Sequence, residues 1–147
     1  MKSYYLDTSA LVKIYHREIG TETMLGLYRG SDKLFISELA KIELLSTVYR
    51  KYREQGITQE TLEAVVQKFE DDLDRRYQLI KFSSLVISEA WDFLRSSAEK
   101  RGLRTLDSLQ TAFFKTYCDS TTIFVCADTI LESLVSKAGF QTLIPSE

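Results

Sequence analysis

Tyr4-Tyr5-Leu6-Asp7-Thr8-Ser9-Ala10-Leu11-Val12-Lys13-Ile14-Tyr15 is the stretch on which the fold turns. Its first three residues are a short β-prone run. The next three all favour helix N-caps, and the remainder is apolar enough to bury one helical face. The stretch therefore reads as a strand that passes straight into a helix, with an aspartate at the junction. The same grammar recurs late in the chain. Ile123-Phe124-Val125-Cys126 is nearly all apolar, as a strand covered on both faces should be, and Asp128 opens a helix through Ile130, Leu131, Leu134 and Val135 that Gly139 ends.

Between these points the pattern alternates. A short helix runs from about Gly20 to Arg29, and Leu34-Phe35-Ile36 is a second strand. Ser37 caps a long helix whose apolar stripe is Leu39, Ile42, Leu45, Tyr49 and Tyr52 and which Gly56 stops. Thr58 starts another, through Leu62, Val65, Val66, Phe69 and Leu73, with Glu70, Asp71, Asp72 and Asp74 on a solvated outer face. Leu79 to Phe82 is a third strand, and Ser83-Ser84 cap a helix carrying Ile87, Ala90, Trp91 and Leu94 as far as Gly102. Thr105 caps a helix through Leu106, Leu109, Phe113 and Tyr117, and Phe140 to Ile144 is the fifth strand. Strands separated by helices need crossover connections. The chain is expected to be α/β, a single domain over residues 1–147 built on a mostly parallel five-stranded sheet flanked by helices on both faces.

The composition fits one ordinary globular core: 147 residues, 44% hydrophobic, 27% charged, 6 Gly and 1 Pro. A net charge of −2 supplies no whole-molecule field for nucleic acid, so any polyanion must meet a local basic patch. The spacing of Cys118 and Cys126 matches no zinc pattern, and two cysteines make no disulfide framework. Asp7 interrupts the apolar stretch that a signal peptide needs, and no apolar run approaches about 18 residues. A cytoplasmic protein with no membrane partner is the expectation.

In parallel sheets ligands bind beyond the carboxyl ends of the strands. Asp7 and Asp128 stand at two such ends, Asp107 lies in the first turn of the helix before the fourth strand, and Glu43 lies about one and a half turns into the helix after the second. Capping alone, at about 1 kcal/mol each, explains any one of the three aspartates. Glu43 is too deep in its helix to cap anything. Carboxylates gathered in one crevice repel one another unless a cation or shared protons neutralise them. Oxygen ligands without a His or Cys cluster suit Mg²⁺ or Mn²⁺, either of which can activate water beside a phosphodiester.

Competing α/β chemistries lack their signatures. Asp7-Thr8-Ser9-Ala10 contains no glycine for a dinucleotide-binding turn, and the chain has no GxxxxGK[ST]. Ser9 stands where an aspartyl-phosphate phosphatase would carry its second aspartate, and the third strand ends without the aspartate of a receiver domain.

Four fragments, in order, resemble the PIN domain family. Tyr5 to Lys13 is similar to the family's opening, and Ser37-Glu38-Leu39 with Ile42-Glu43 to its second acidic motif. Leu103 to Gln110 is similar to its third, and Ala127-Asp128-Thr129 with Leu131, Ala138-Gly139 and Pro145 to its fourth. The resemblance implies a metal-dependent ribonuclease in which Asp7, Glu43, Asp107 and Asp128 bind Mg²⁺ or Mn²⁺, leaving a 5′-phosphate and a 3′-hydroxyl. Thr8 or Ser9 would be the small hydroxyl residue beside the first aspartate. The organisation looks most like VapC-type toxins, which implies a homodimer and a cognate antitoxin protein. Gln110 departs from the His that many relatives carry, and the fourth acidic position varies across the family. Lys13, Arg50, Lys51, Arg53, Arg101 and Arg104 are candidates for RNA phosphates because they lie on or beside the acid-bearing segments. His16 is expected to take a structural role at or near the surface, and the aromatic set Tyr15, Tyr49, Tyr52, Phe113, Phe114 and Tyr117 to pack in the core or at a dimer interface. The alternative is a catalytically silent PIN-like module that binds RNA or a protein; loss of an acid would favour it, and all four are present.

Overall fold

The computed structural model describes residues 1–97, 99 and 102–146. Five strands, β1 (Ser3–Leu6), β2 (Lys33–Ser37), β3 (Tyr77–Ile80), β4 (Ile123–Val125) and β5 (Thr142–Leu143), form one sheet in the order β3-β2-β1-β4-β5. Every ladder is parallel, with Tyr5 opposite Phe35 on one side and Phe124 on the other. Seven helices connect them: α1 (Thr8–Tyr15), α2 (Thr21–Arg29), α3 (Glu38–Arg53), α4 (Gln59–Arg75), α5 (Ser84–Ser97), α6 (Thr105–Tyr117) and α7 (Thr129–Lys137).

Alternation along β1 separates the two faces. Tyr4 and Leu6 join α1 to α4 in one apolar cluster with Leu11, Met24, Leu34, Ile36, Leu44 and Phe69. Tyr5 points the other way, into a cluster from α5, α6 and α7 with Val86, Phe113, Phe114, Phe124, Leu131 and Val135. Tyr5 stacks on Phe124 at 5.5 Å between ring centroids, and Phe114 meets both rings. The chain moves outward from β1 through β2 to β3, then returns to lay β4 and β5 on the opposite side. The switch point therefore lies between β1 and β4, whose carboxyl ends deliver Asp7 and Asp128.

Several local expectations shift. β3 starts at Tyr77, two residues before Leu79, because Tyr77 pairs with Leu34; Phe82 leaves the ladder, its amide donating to Glu38 Oε1 at 2.6 Å. The N-cap position of α6 is Arg104, not Thr105, and no side chain caps it. The end of α5 toward Gly102 runs into residues outside those described. On α3 the buried stripe is Ala40, Leu44 and Val48, which packs toward α1 and α4, while Ile42, Leu45, Tyr49 and Tyr52 are exposed. α5 likewise buries Val86, Ala90 and Phe93 and exposes Leu85, Ile87 and Trp91. Phe113 and Phe114 are core residues as expected, His16 is half-buried, and Tyr117 is exposed. Asp72, read as solvated, is buried: it accepts from the Tyr15 and Tyr28 hydroxyls at 2.6 and 2.8 Å.

Candidate active site

Asp7 is the first residue past β1 and the N-cap of α1. Its amide donates to Val125 O at 2.9 Å, so β4 fixes its backbone, and Oδ2 accepts from the Ser9 amide at 3.3 Å and the Ser9 hydroxyl at 2.6 Å. The Ser9 oxygen accepts in turn from Ala127 N at 2.9 Å, which ties the β1 and β4 ends together. Asp128 caps α7 through Oδ1, from the Ile130 and Leu131 amides at 2.8 and 3.1 Å. Capping and site membership are thus compatible roles for both residues.

Glu43 reaches in from α3. Its Oε1 accepts from the Thr8 hydroxyl at 2.8 Å and from Gln110 Nε2 at 2.7 Å. Asp107 stands in the first turn of α6 with Oδ2 3.6 Å from Arg104 Nε. Asp7, Glu43, Asp107 and Asp128 all line one cleft of about 400 Å³, together with Thr8, Ser9, Lys13, Glu18, Thr47, Arg50, Lys51 and Arg104. Arg53 lies apart, at the hollow where α3 turns toward α4, and Arg101 lies outside the described residues.

The electrostatics of the cleft follow from this crowding. Burial, with the Glu43 and Asp107 charges adding to it, pushes the Asp7 carboxyl up to about 6 against the hydrogen bonds from Ser9. Burial also raises Asp107, where the Arg104 guanidinium opposes the shift and the Asp128 charge adds to it. Cations on the wall differ in availability. Lys13 is buried and its ammonium lies 3.1 Å from Glu18, whereas Arg50 and Arg104 are exposed.

A hard divalent cation fits this donor set. The charged ligands on the cleft wall are carboxylates, and burial, with the charge of Asp7, raises the nearby Cys126 thiol, which keeps it a poor soft ligand. Among the described residues no three His, Cys, Asp or Glu side chains close on one point as a ready-made metal cluster. Mg²⁺ characteristically keeps several waters and is held by one or two carboxylates plus substrate phosphate.

The PIN domain family model matches residues 4–132, from the start of β1 into α7. The chain belongs to the PIN domain family. Solved PIN structures share its fold across nearly its whole length. VapC20 of Mycobacterium tuberculosis, a sarcin–ricin loop cleaving toxin, is 16% identical with a TM-score of 0.71, covering 97% of this chain and 100% of that one. FitAcB of Neisseria gonorrhoeae is 14% identical with a TM-score of 0.71, covering 97% of each chain. VapBC2 of Rickettsia felis, bound to a promoter DNA fragment, is 17% identical with a TM-score of 0.66, covering 96% of this chain and 97% of that one. No curated protein sequence matches significantly.

Sequence reading of this PIN domain missed Glu18 and Thr47 on the cleft wall and the part played by Gln110 behind it. The spacing of five between Lys13 and Glu18 signals no helical pair, because α1 has already ended at Tyr15.

Proposed function

We propose that this PIN domain is an endoribonuclease that hydrolyses RNA phosphodiester bonds with Mg²⁺ or Mn²⁺, and that it is the toxin of a type II toxin–antitoxin pair. One observation carries the reading: four carboxylates from four separate segments line one cleft at the switch point of the sheet, where burial, with the neighbouring acids adding to it, raises Asp7 and Asp107. Asp7 and Asp107 would chiefly hold the cation, and Glu43 and Asp128 would complete its shell or hold a second ion. When bound, the cation supplies Lewis acidity that lowers the pKa of a water and offsets phosphate charge.

The chain's own residues do the rest. Ser9 keeps Asp7 Oδ2 in place by two hydrogen bonds, so the carboxylate does not have to reorganise as charge develops. Arg50, Lys51 and Arg104 on the rim provide cations for the RNA backbone that the net charge of −2 does not. Lys13, spent on Glu18, stiffens the wall instead of reaching a phosphate.

A protein antitoxin is the proposed partner, supported by relatives solved as VapBC complexes. The proposed homodimer has exposed apolar residues to use, on α3 (Ile42, Leu45, Tyr49) and α5 (Leu85, Ile87, Trp91). No helix among the described residues is long and apolar enough to cross a membrane, and the proposed place of action is the cytoplasm, where RNA is found.

The test is cleavage of a mixed panel of structured and single-stranded RNAs by purified protein with Mn²⁺, Mg²⁺ or EDTA, beside Asp7→Asn prepared identically. Metal-dependent cleavage that the variant lacks supports the nuclease. Folded protein that binds these RNAs but cuts none with either metal points to the silent binding module.

A further inference from the structure

Gln110 is buried to 1% exposure on α6, three positions after Asp107, and lies behind the cleft wall without lining it. Its carboxamide is nevertheless the most connected polar group behind the site. Oε1 accepts from the Tyr5 hydroxyl at 2.5 Å and the Ser37 hydroxyl at 3.2 Å, while Nε2 donates to Thr8 Oγ1 at 3.0 Å and Glu43 Oε1 at 2.7 Å.

The direction of these bonds is forced. A carboxylate only accepts, so the side of the amide that meets Glu43 Oε1 is its NH₂ group, and Ser37, whose Oγ accepts from the Ala40 amide at 3.1 Å as the cap of α3, gives its proton to the Gln110 oxygen. Turning the amide over would set its oxygen against the Glu43 carboxylate and leave the Ser37 proton facing an NH₂ group. Both Nε2 protons therefore point at Thr8 and Glu43. Thr8, having accepted one of them, gives its own proton to the same Glu43 oxygen at 2.8 Å. Two donors thus converge on Oε1, and among the described residues Oε2 has no hydrogen-bond partner.

The network spans the elements that carry three of the four acids: β1 through Tyr5, α1 through Thr8, the start of α3 through Ser37, and α6 through Gln110 itself. It satisfies both polar atoms of the Gln110 carboxamide, which a buried amide requires. It also leaves the charge of Glu43 undiminished. A cationic side chain at this place would pair with the carboxylate and compete with a metal ion, whereas a neutral amide orients it without cancelling its charge.

We infer that Gln110 is the positioning residue for Glu43: held from behind by Tyr5 and Ser37, it clamps one carboxylate oxygen and presents the other to a cation in the cleft. This rests on the cation-dependent reading of the site. Gln110 touches no substrate, so its removal acts through metal affinity and turnover while the KM for RNA stays unchanged.

The experiment is a calorimetric Mn²⁺ titration of the full chain as wild type, Gln110→Met, Glu43→Gln and the double variant, each checked for folding by circular dichroism. Gln110→Met is expected to weaken Mn²⁺ binding about 10-fold in the wild-type background and to add nothing once Glu43 is already Gln. An equal loss in both backgrounds, or none in the first, overturns the positioning role. Should Gln110→Met fail to fold, Gln110→Asn takes the same test, because it keeps a carboxamide but stops one methylene short of Glu43. Coupling without RNA cleavage by the wild type keeps the positioning role and defeats the nuclease reading. Cleavage without coupling does the reverse, and a wild type that binds no Mn²⁺ overturns both.

Discussion

The Ser9 hydroxyl donates to Asp7 Oδ2 at 2.6 Å, and the same oxygen takes the Ser9 amide at 3.3 Å. Because Ser9 Oγ also accepts from Ala127 N, one side chain joins the β1 carboxylate to the end of β4 across the switch point. The arrangement holds a charge where burial and two neighbouring acids oppose it.

That cost predicts the behaviour of Asp7→Asn. The folded chain holds the Asp7 proton to about 6, against an ordinary value of 3.8, so between these values the native state binds more protons than the unfolded one. Stability from this group is present below pH 4 and is lost as pH rises toward 6 and beyond. Asn keeps an acceptor for Ser9 and removes the charge. Asp7→Asn is expected to raise stability at pH 7 by about 2–3 kcal/mol at most in EDTA, to flatten its dependence between pH 4 and 6, and to abolish cleavage. Urea unfolding at several pH values checks it; a destabilised Asp7→Asn with unchanged specific activity would make Asp7 purely structural.

Cation binding should offset most of that difference. At 100 times its dissociation constant, Mn²⁺ stabilises the folded chain by about 2.7 kcal/mol, or about 5–10 °C in Tm for a chain of this size. Asp7→Asn and Asp107→Asn are expected to lose most of this shift. Thermal melts with and without Mn²⁺ read it directly, and equal shifts in wild type and both variants would place the ion elsewhere.

The same logic explains what the sequence made legible. Asp7 and Asp128 announce themselves because a strand, an aspartate and a helix follow one another with at most two residues between strand and aspartate, and the parallel sheet follows from the same grammar. Glu43 stood out because a helix interior offers it no cap to fill. The partners of these acids were hidden, because hydrogen bonds such as Tyr5 to Gln110 join residues 105 apart in the chain. Periodicity also misled where a helix carries two apolar stripes: α3 buries Ala40, Leu44 and Val48 and turns Ile42, Leu45, Tyr49 and Tyr52 outward. Asp72 was hidden for the first reason, its tyrosines being 57 and 44 positions away.

Asp72→Ala follows from that correction. The buried carboxylate accepts from Tyr15 and Tyr28 and lies 3.7 Å from the Lys68 ammonium, while Tyr15 and Tyr77 share a hydrogen bond at 2.7 Å. Truncation leaves two tyrosine hydroxyls short of an acceptor and a cavity between α2 and α4. A loss of about 3 kcal/mol is expected, with the specific activity of the folded fraction unchanged. Activity normalised to folded protein separates this from damage to the cleft.

Gly20 precedes α2 with φ +94°, and a Cβ added there would meet Pro145 O at 2.7 Å. Gly20→Ala combines left-handed strain with a backbone clash and is expected to cost about 2 kcal/mol or more. Deleting residues 145–147 in the same variant should recover the part owed to the clash and leave the part owed to φ. Full recovery would show that the backbone conformation carries no strain.

The cations on the cleft wall should separate by what each is paired with. Arg50 and Arg104 are exposed on the rim, but Arg104 lies 3.6 Å from Asp107; Arg50→Gln is expected to raise the KM for RNA and lower the salt slope of binding by about 1, and Arg104→Gln to lower it by less. Lys13 is buried against Glu18 at 3.1 Å, and its charge is already spent. Lys13→Gln should therefore lower stability, by leaving Glu18 unpaired, without moving the salt slope. RNA binding measured across a range of KCl concentrations distinguishes them, and a slope that falls in Lys13→Gln as far as in Arg50→Gln would return Lys13 to the RNA-contacting set.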